Sequence, residues 1–496
     1  MNKDRMNILV IGQSYLGRIG GVPKFYAQLY DYLCARGHAI THVTFLPIGK
    51  EGLQYPFPES VKIISINIYA GHGVADRIRN IANEVNPDVV VLMGGDLWNL
   101  DALAALRSSP FPVIISERGC PPYCITKMWM NRRLRELAAG QVEFYHLLMP
   151  SFINSFPKDL QNRVVAISNP EPEAKILAKP DIPDENGKFT LLYTGRLAVE
   201  KRLPLLVRAF ALVCRRYPEW RLEIIGSGPE LGLVKAAIAE AKIENRVYLL
   251  PNTDSQDALA RHYADSHLFC LPSEAEGCPH SLLEALAAGL PCVGFASCPG
   301  TNDIIKYGFN GFLAKADTAE SLAHCLENLM GNVELRVKMG ENAINTAKGF
   351  APEKNFAAWE KLLREASLWK GRKKILKFKR MLQSPVASLW RALQPVPKNA
   401  ENLPDIFCRS PLDWFRQVGE KWLDYALMSF FGLPHFPGQQ KPADVLARKS
   451  RIVCELNKPE SMSLPGMGAV ARNMLKIGNQ HGIALNKLYR NHNNGR

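Results

Sequence analysis

Residues 271–295 read LPSEAEGCPHSLLEALAAGLPCVGF. An apolar segment ends at Leu271, a polar loop follows, and an apolar-periodic segment begins near Pro279, which predicts a strand, a loop and a helix in turn. Glu276 falls in the loop, and Glu284 falls about one turn inside the helix. Both carboxylates can therefore face one ligand at the helix N-terminus, where free N–H groups and the helix dipole attract phosphate. An isolated pair of glutamates is more often a solvated surface feature, so the surrounding sequence has to decide.

The alternation of strands and helices continues on both sides of this stretch. Five short apolar segments predict strands in the first half, the last over 112–116, and six more follow from residue 190 onward. Continuous apolar runs such as VVVLM at 89–93 are typical of strands covered on both faces, as in a parallel sheet. We therefore predict an α/β fold with two Rossmann-like domains that face a cleft and are joined by a proline-rich linker. The expected bounds are 1–170 and 186–351 for the domains, 352–368 for a helix that crosses back to the first domain, and 369–496 for a basic, mainly helical extension.

Charge singles out that extension. The 496 residues include 61 Lys and Arg and 47 Asp and Glu, a net charge of +14, and residues 369–496 alone hold 22 basic and 8 acidic residues. Seven of the basic residues lie between 370 and 380, close to Trp369 and Phe378. Such a composition indicates an anionic partner, and aromatic side chains among cations favour an anionic membrane surface. No nucleic-acid-binding module is recognisable, so nucleic acid is not expected; a tail that docks a protein or is purely structural stays open.

The cysteine content and the hydropathy of the sequence indicate the cellular compartment in which the protein is expected. The 11 cysteines are scattered without a regular framework, which favours free thiols in a reducing compartment over a disulfide scaffold. No apolar run is long enough for a signal peptide or a membrane-spanning helix. We expect a cytoplasmic protein that is peripheral on the inner face of the membrane.

Residues 276–285 resemble the signature Glu-Gly-Phe-Gly/Pro-x4-Glu-Ala of the retaining glycosyltransferase family four, whose members have the GT-B fold. Three further motifs of that family occur in the expected order. They are Gly20-Gly21 before the first helix, Gly195-Arg196-x4-Lys201, and Gly226-Ser227-Gly228-Pro229-Glu230. The resemblance covers roughly residues 7–366 and is to the Glu-Gly-x-Pro-x4-Glu subgroup that acts on surface or lipid-linked glycans. It implies an acceptor-side first domain and a second domain that binds a nucleotide-sugar.

The resemblance also implies roles for these residues. Glu276 would orient the donor sugar, and Glu284 would bind the ribose. Arg196 and Lys201 would bind the diphosphate. The catalytic residues would be Glu276, Arg196 and Lys201. The other donor-binding residues would be Gly20, Gly21, Gly195, Gly226, Gly277, Cys278, His280, Ser281 and Leu282. Two cations on a departing nucleoside diphosphate stabilise its developing charge, so we expect no metal and no cofactor. No Asp-x-Asp sequence is present. Taken alone, Arg196 and Lys201 would be ordinary surface cations.

Two positions depart from the family pattern. Cys278 stands where Phe is usual, and we expect an inert packing thiol there. His280 stands where Asn is common, and it either bonds a sugar hydroxyl or phosphate or serves as a polar residue at the helix start. In the first half, the Ser-Glu-Arg sequence that ends at Glu117 and Arg118 resembles that of members that build surface or lipid-linked glycans. These two residues would face the acceptor, and a plain ion pair at the strand end is equally open. A solvated helix face is expected for Arg132, Arg133 and Arg135, and an approach to an anionic or lipid-bound acceptor is the alternative.

The function implied is transfer of a hexosyl or N-acetylhexosaminyl group from a nucleotide-sugar, for which we expect a UDP-sugar. The acceptor would be a saccharide or lipid-linked saccharide in the synthesis of lipopolysaccharide, capsule or an O-antigen-like glycan. Alternatives are another GT-B enzyme, namely a sugar-nucleotide epimerase or a phosphorylase, and a non-catalytic scaffold that binds membranes or glycans. A dehydrogenase is excluded, because the first strand lacks Gly-x-Gly-x-x-Gly and the second lacks the acid that binds a ribose diol.

Overall fold

The structure is a computed structural model that describes residues 5–12, 20–45, 52–66, 74–94, 102–103, 105–106, 109–127, 132–253 and 255–371. The chain divides into two compact units, Met1–Lys374 and Ile375–Arg496. The second unit lies outside the described residues, and so does the predicted extension from residue 372 onward. Within the described part, no helix is long and apolar enough to cross a membrane.

Within the described residues, the first sheet has seven parallel strands in the order β3-β2-β1-β4-β5-β6-β7. They are β1 Asn7–Gly12, β2 Ala39–Thr44, β3 Lys62–Ser65, β4 Val89–Met93, β5 Val113–Ser116, β6 Phe144–Leu147 and β7 Val164–Ala166. The helices described with them are α1 Gly21–Ala35, α2 Val74–Val85, α3 Pro121–Lys127 and α4 Arg132–Ala139. All five residues of β4 are buried, as its continuous apolar run predicts.

The second sheet has six parallel strands in the order β10-β9-β8-β11-β12-β13. They are β8 Phe189–Thr194, β9 Trp220–Ile225, β10 Val247–Leu250, β11 Leu268–Leu271, β12 Cys292–Phe295 and β13 Gly311–Ala314. Its helices are α5 Leu203–Val213, α6 Leu231–Ala241, α7 Gln256–Ala264, α8 His280–Ala287, α9 Thr301–Ile304, α10 Ala319–Met330 and α11 Val333–Ala347. The two parallel sheets confirm the predicted α/β fold of two Rossmann-like domains.

Helix α12, Pro352–Ser367, returns to the first sheet. Trp359 is fully buried there, with its ring centroid 4.4 Å from that of His146 and 5.7 Å from that of Phe25. Just beyond the helix, the Lys370 Nζ lies 2.9 Å from Asp88 Oδ1 before β4. The first domain is therefore completed by residues that follow the second domain in the chain.

Candidate active site

The predicted glycine motifs form tight loops at the carboxyl ends of β8 and β9. The backbone of Gly226 has φ +156°, and a Cβ on this residue would lie 1.9 Å from the Gly195 carbonyl oxygen. Only glycine permits this contact, because any side chain would displace the neighbouring loop. The two motifs are thereby held against one another beside the loop that follows β11, in the crevice at the carboxyl edge of the sheet where ligands of such folds bind.

The glycine pair of the first domain meets the start of α8. A Cβ on Gly21 would lie 2.6 Å from the His280 Cδ2, so a larger residue would collide with the imidazole. Gly20 immediately precedes α1. The carboxyl edges of the two sheets therefore face each other, and two motifs separated by about 260 residues are brought into contact.

Lys201 and Glu276 form an ion pair. The Lys201 Nζ, in the short helical turn Val199–Lys201, lies 2.5 Å from Glu276 Oε1, and both side chains are largely buried. The Glu276 N–H donates to the Pro299 carbonyl at 3.0 Å, which fixes the loop after β11. Arg196 is not part of this pair: its guanidinium is half exposed and contacts Glu200. Glu276, expected to bind the sugar, is thus adjacent to Lys201, expected to bind the diphosphate. Arg196, the second expected diphosphate ligand, is more exposed to solvent.

Glu284 belongs to a second charged cluster, which spans both domains. Its Oε1 lies 2.7 Å from the Nζ of Lys24 on α1, and its Oε2 accepts a hydrogen bond from the Tyr263 hydroxyl at 2.9 Å. Glu171 Oε2 lies 3.7 Å from Lys24 Nζ and 3.7 Å from His280 Nδ1. Sequence reasoning missed Lys24 and Glu171. A single lysine on a helix and a glutamate in a proline-rich linker carry no signal that they meet.

The cluster shifts the acidities of its members. Burial opposes the charge of Lys24, but the Glu284 and Glu171 carboxylates outweigh it and hold the Lys24 pKa above its usual value. Burial alone would raise the Glu284 pKa, yet the attraction of Lys24 brings this pKa below the usual value. Burial raises the pKa of Glu171, although His280 and Lys24 oppose the rise. Lys24 and Glu284 are therefore both charged at neutral pH.

Glu117 is buried inside the first domain. It forms an ion pair, which was the alternative to the expected contact with the acceptor. Its Oε2 accepts hydrogen bonds from Arg135 Nε at 2.7 Å and from the Tyr145 hydroxyl at 2.9 Å, with both charged side chains about 1% exposed. The expectation of a solvated face for Arg135 is likewise wrong. Tyr145 belongs to β6, a strand that the sequence analysis did not predict, so the partner that draws Glu117 inward was not visible.

Arg118 links the two domains. Its guanidinium lies 3.8 Å above the Phe25 ring, and its Nη2 donates to Asn169 Oδ1. The Asn169 amide in turn donates to the Cys278 carbonyl at 2.7 Å. Burial lowers the pKa of Arg118 to about 10 and raises that of the Cys278 thiol to about 12, so this thiol is protonated at neutral pH.

The remaining predicted residues contribute through the backbone. A Cβ on Gly277 would lie 2.8 Å from a methyl carbon of Leu148, which presses this loop against the first domain. The Ser281 carbonyl oxygen lies 3.2 Å from the Tyr263 hydroxyl oxygen. The Leu282 side chain is fully buried in the core, so only its main chain is available to a ligand. Among the described residues, no group of three His, Cys, Asp or Glu side chains is placed to hold a metal ion.

Sequence comparison matches residues 175–346 to the family model described as Glycosyl transferases group 1. An uncharacterized glycosyltransferase of Haemophilus influenzae is 24% identical over 356 residues, which is 70% of this chain and 97% of that protein.

Two solved structures are similar over nearly their whole length. The lipopolysaccharide outer core galactosyltransferase WaaB in its apo form superimposes with a TM-score of 0.58 at 19% identity, over 72% of this chain and 99% of that chain. The Anabaena protein HepE in complex with UDP and glucose gives a TM-score of 0.57 at 16% identity, over 73% and 98%. At these identities the likeness shows the fold, which is GT-B.

Proposed function

We propose, from the premise that residues 175–346 form a group 1 glycosyltransferase domain, that this chain is a retaining glycosyltransferase. It transfers a hexosyl or N-acetylhexosaminyl group from a UDP-sugar to a saccharide or lipid-linked saccharide during surface glycan synthesis. The observation that carries the proposal is the Lys201–Glu276 ion pair in the loop that leads into α8, with Glu284 about one turn inside the same helix. The UDP and glucose of HepE and the lipopolysaccharide substrate named for WaaB support the choice of donor and acceptor class.

The chemistry of this arrangement is charge stabilisation. The diphosphate binds where α8 presents free N–H groups, Lys201 leaves Glu276 for a phosphate oxygen, and the exposed Arg196 turns from Glu200 to grip the diphosphate bidentately. Glu276 then accepts hydrogen bonds from sugar hydroxyls. As the bond from the anomeric carbon to the UDP oxygen breaks, the acceptor oxygen bonds on the same face. The departing phosphate takes the acceptor proton, and the anomeric configuration is retained.

A donor screen tests this function. Calorimetry with UDP-, GDP-, ADP- and dTDP-sugars is run on the wild type, Arg196→Ala and the control Arg216→Ala, which removes an exposed arginine paired with Glu327. We expect a UDP-sugar to bind the wild type and Arg216→Ala alike and Arg196→Ala about tenfold more weakly, as for loss of a charged hydrogen bond.

The outcomes separate the alternatives. Product anomers identified by NMR with an acceptor present establish retention. Donor turnover without acceptor indicates an epimerase, and phosphate-dependent glycan breakdown indicates a phosphorylase. Failure of every nucleotide-sugar to bind overturns the proposal and leaves the non-catalytic scaffold. Full activity in excess chelator is expected, because Arg196, Lys201 and the α8 N–H groups supply the charge that a metal otherwise provides.

We also propose a location and a membrane partner for the enzyme, from its scattered cysteines and its charge pattern. We place it in the cytoplasm, held on the inner face of the membrane by the basic residues 369–496. Each cation near an anionic surface contributes about 1 kcal/mol. A lipid-linked acceptor lies at the same surface, so this association would bring the active site to its substrate.

A further inference from the structure

Glu284 is bound by one group from each domain. We propose that Lys24 is a positioning residue, which aligns the Glu284 carboxylate for the ribose diol of the donor and so makes nucleotide recognition depend on the first domain. The proposal rests on the proposed function, because it concerns the same nucleotide site. It adds a residue from outside the second domain to the recognition of the nucleoside.

The geometry fixes both carboxylate oxygens. Lys24 Nζ lies 2.7 Å from Oε1, and the Tyr263 hydroxyl donates to Oε2 at 2.9 Å. The Tyr263 hydroxyl is itself held 2.5 Å from Thr194 Oγ1 at the end of β8. A carboxylate has about four acceptor positions, so each oxygen keeps one for a ribose hydroxyl. The carboxylate is thus oriented before the diol arrives, which lowers the entropic cost of binding.

Burial makes the charge of Lys24 essential. The side chains of Lys24 and Glu284 are 14% and 16% exposed, so Glu284 without Lys24 would be a largely buried carboxylate without its closest counter-charge. The other titratable groups that face the pair are Glu171 in the linker, His280 on α8, Tyr263 on α7 and Tyr55 beside Lys24. None of these groups is a permanent cation, and none replaces Lys24.

The test compares two ligands on matched variants. Lys24→Met keeps the apolar stem and removes the charge, and Lys24→Arg keeps the charge. Lys175→Met is the control, because Lys175 pairs with Asp257 where both side chains are more than 70% exposed. Calorimetry measures UDP and 2′-deoxy-UDP binding from pH 5.5 to 8, and thermal unfolding shows that each variant is folded. If Lys24→Met unfolds, Lys24→Gln provides the same measurement with a polar, uncharged side chain.

We expect Lys24→Met to bind UDP about tenfold or more weakly at neutral pH, while Lys24→Arg and Lys175→Met stay within about twofold of the wild type. The loss should be smaller for 2′-deoxy-UDP, which lacks one of the hydroxyls that Glu284 would accept. It should grow as pH falls. Without Lys24, burial raises the Glu284 pKa, and the carboxylate is protonated in a range where the wild type stays ionised.

A final comparison uses a variant that lacks the Glu284 carboxylate. In Glu284→Gln, adding Lys24→Met should change UDP affinity no further, since Lys24 acts through Glu284. The inference is overturned if Lys24→Met binds UDP as tightly as the wild type or more tightly. Equal losses for both ligands with a flat pH profile also overturn it. If the wild type itself binds no UDP, the proposed function fails too, whereas wild-type binding with an unaffected Lys24→Met removes only the inference.

Discussion

Glu117 and Arg135 form a buried ion pair in which each charge depends on the other. Breaking such a pair by removing one partner leaves an uncompensated charge in the interior, and this typically costs about 3–5 kcal/mol. Tyr145 adds a further hydrogen bond to the same carboxylate oxygen. The pair therefore joins α4 to the end of β5 beside β6, and its two opposite charges cancel.

At the residue scale, Glu117→Gln should lower the free energy of unfolding by about 3 kcal/mol, because Arg135 keeps its charge in the interior without a carboxylate. Glu327→Gln is the control, since Glu327 pairs with the exposed Arg216 and its loss should cost under about 1 kcal/mol. Urea unfolding measures both. Equal destabilisation, or loss of UDP-sugar binding by folded Glu117→Gln, would count against a purely structural pair.

The sequence predicts the positions of site residues that belong to a motif, but not of those that lie outside one. The spacing within residues 271–295 predicted a loop carboxylate and a helical one near a helix start, and the structure has Glu276 and Glu284 there. Their roles toward a ligand stay predictions. Lys24 and Glu171 were missed because their contact with Glu284 arises only when the two domains face each other. The local sequence pattern cannot predict a contact between residues of different domains.

Helix α12 is the element that joins the end of the described chain to its beginning. Trp359 packs against both α1 and β6 through Phe25 and His146. The His146 ring nitrogens are bonded to Ser116 Oγ and to the Ile167 carbonyl, and burial lowers its pKa to about 3, so the imidazole is neutral. A neutral, hydrogen-bonded imidazole can pack against the indole without the cost of a buried charge.

At the element scale, Trp359→Ala should destabilise the protein by about 3–5 kcal/mol, because it removes the largest side chain between α12 and the first sheet. Leu368→Ala, at the exposed end of the same helix, should change the free energy of unfolding by less than about 0.5 kcal/mol. Denaturant unfolding monitored by circular dichroism measures both changes. A small effect of Trp359→Ala would mean that α12 is dispensable for the first domain.

Element prediction succeeded for every strand of the second sheet and missed two strands of the first. The six strands of the second sheet were all anticipated, three with the same ends as in the structure and three with the first residue shifted by one. In the first sheet, β6 and β7 were missed. In β6 a buried histidine interrupts the apolar run, and β7 has only three residues. Their strand geometry depends on the pairing of β6 with β5 and of β7 with β6, which is a tertiary effect.

At the scale of the whole molecule, charge is divided unevenly between a neutral body and a basic extension. Residues 1–368 hold 39 basic and 39 acidic residues, while the rest of the chain carries the whole net charge of +14. The body alone therefore has no net attraction to an anionic surface. An attraction that arises from net charge would come from the extension.

We expect the full chain to sediment with phosphatidylglycerol vesicles at low salt, to be released at high salt, and not to sediment with phosphatidylcholine vesicles. Replacing the six cations between 372 and 380 by glutamine should remove most of this binding, at about 1 kcal/mol per cation. The control replaces six exposed lysines of the body by glutamine: Lys158, Lys188, Lys235, Lys242, Lys338 and Lys361. If both variants bind vesicles equally, the extension does not hold the protein on the membrane.

The return of α12 also determines the order in which the protein folds during its synthesis. The ribosome finishes β7 long before it reaches Trp359, and the entire second domain is made in between. The nascent first sheet therefore waits with the surface around Phe25 uncovered until translation has passed residue 367. A fragment that stops in the linker would keep this surface open permanently and would tend to aggregate. The first domain is therefore not expected to be stable as a fragment that lacks α12.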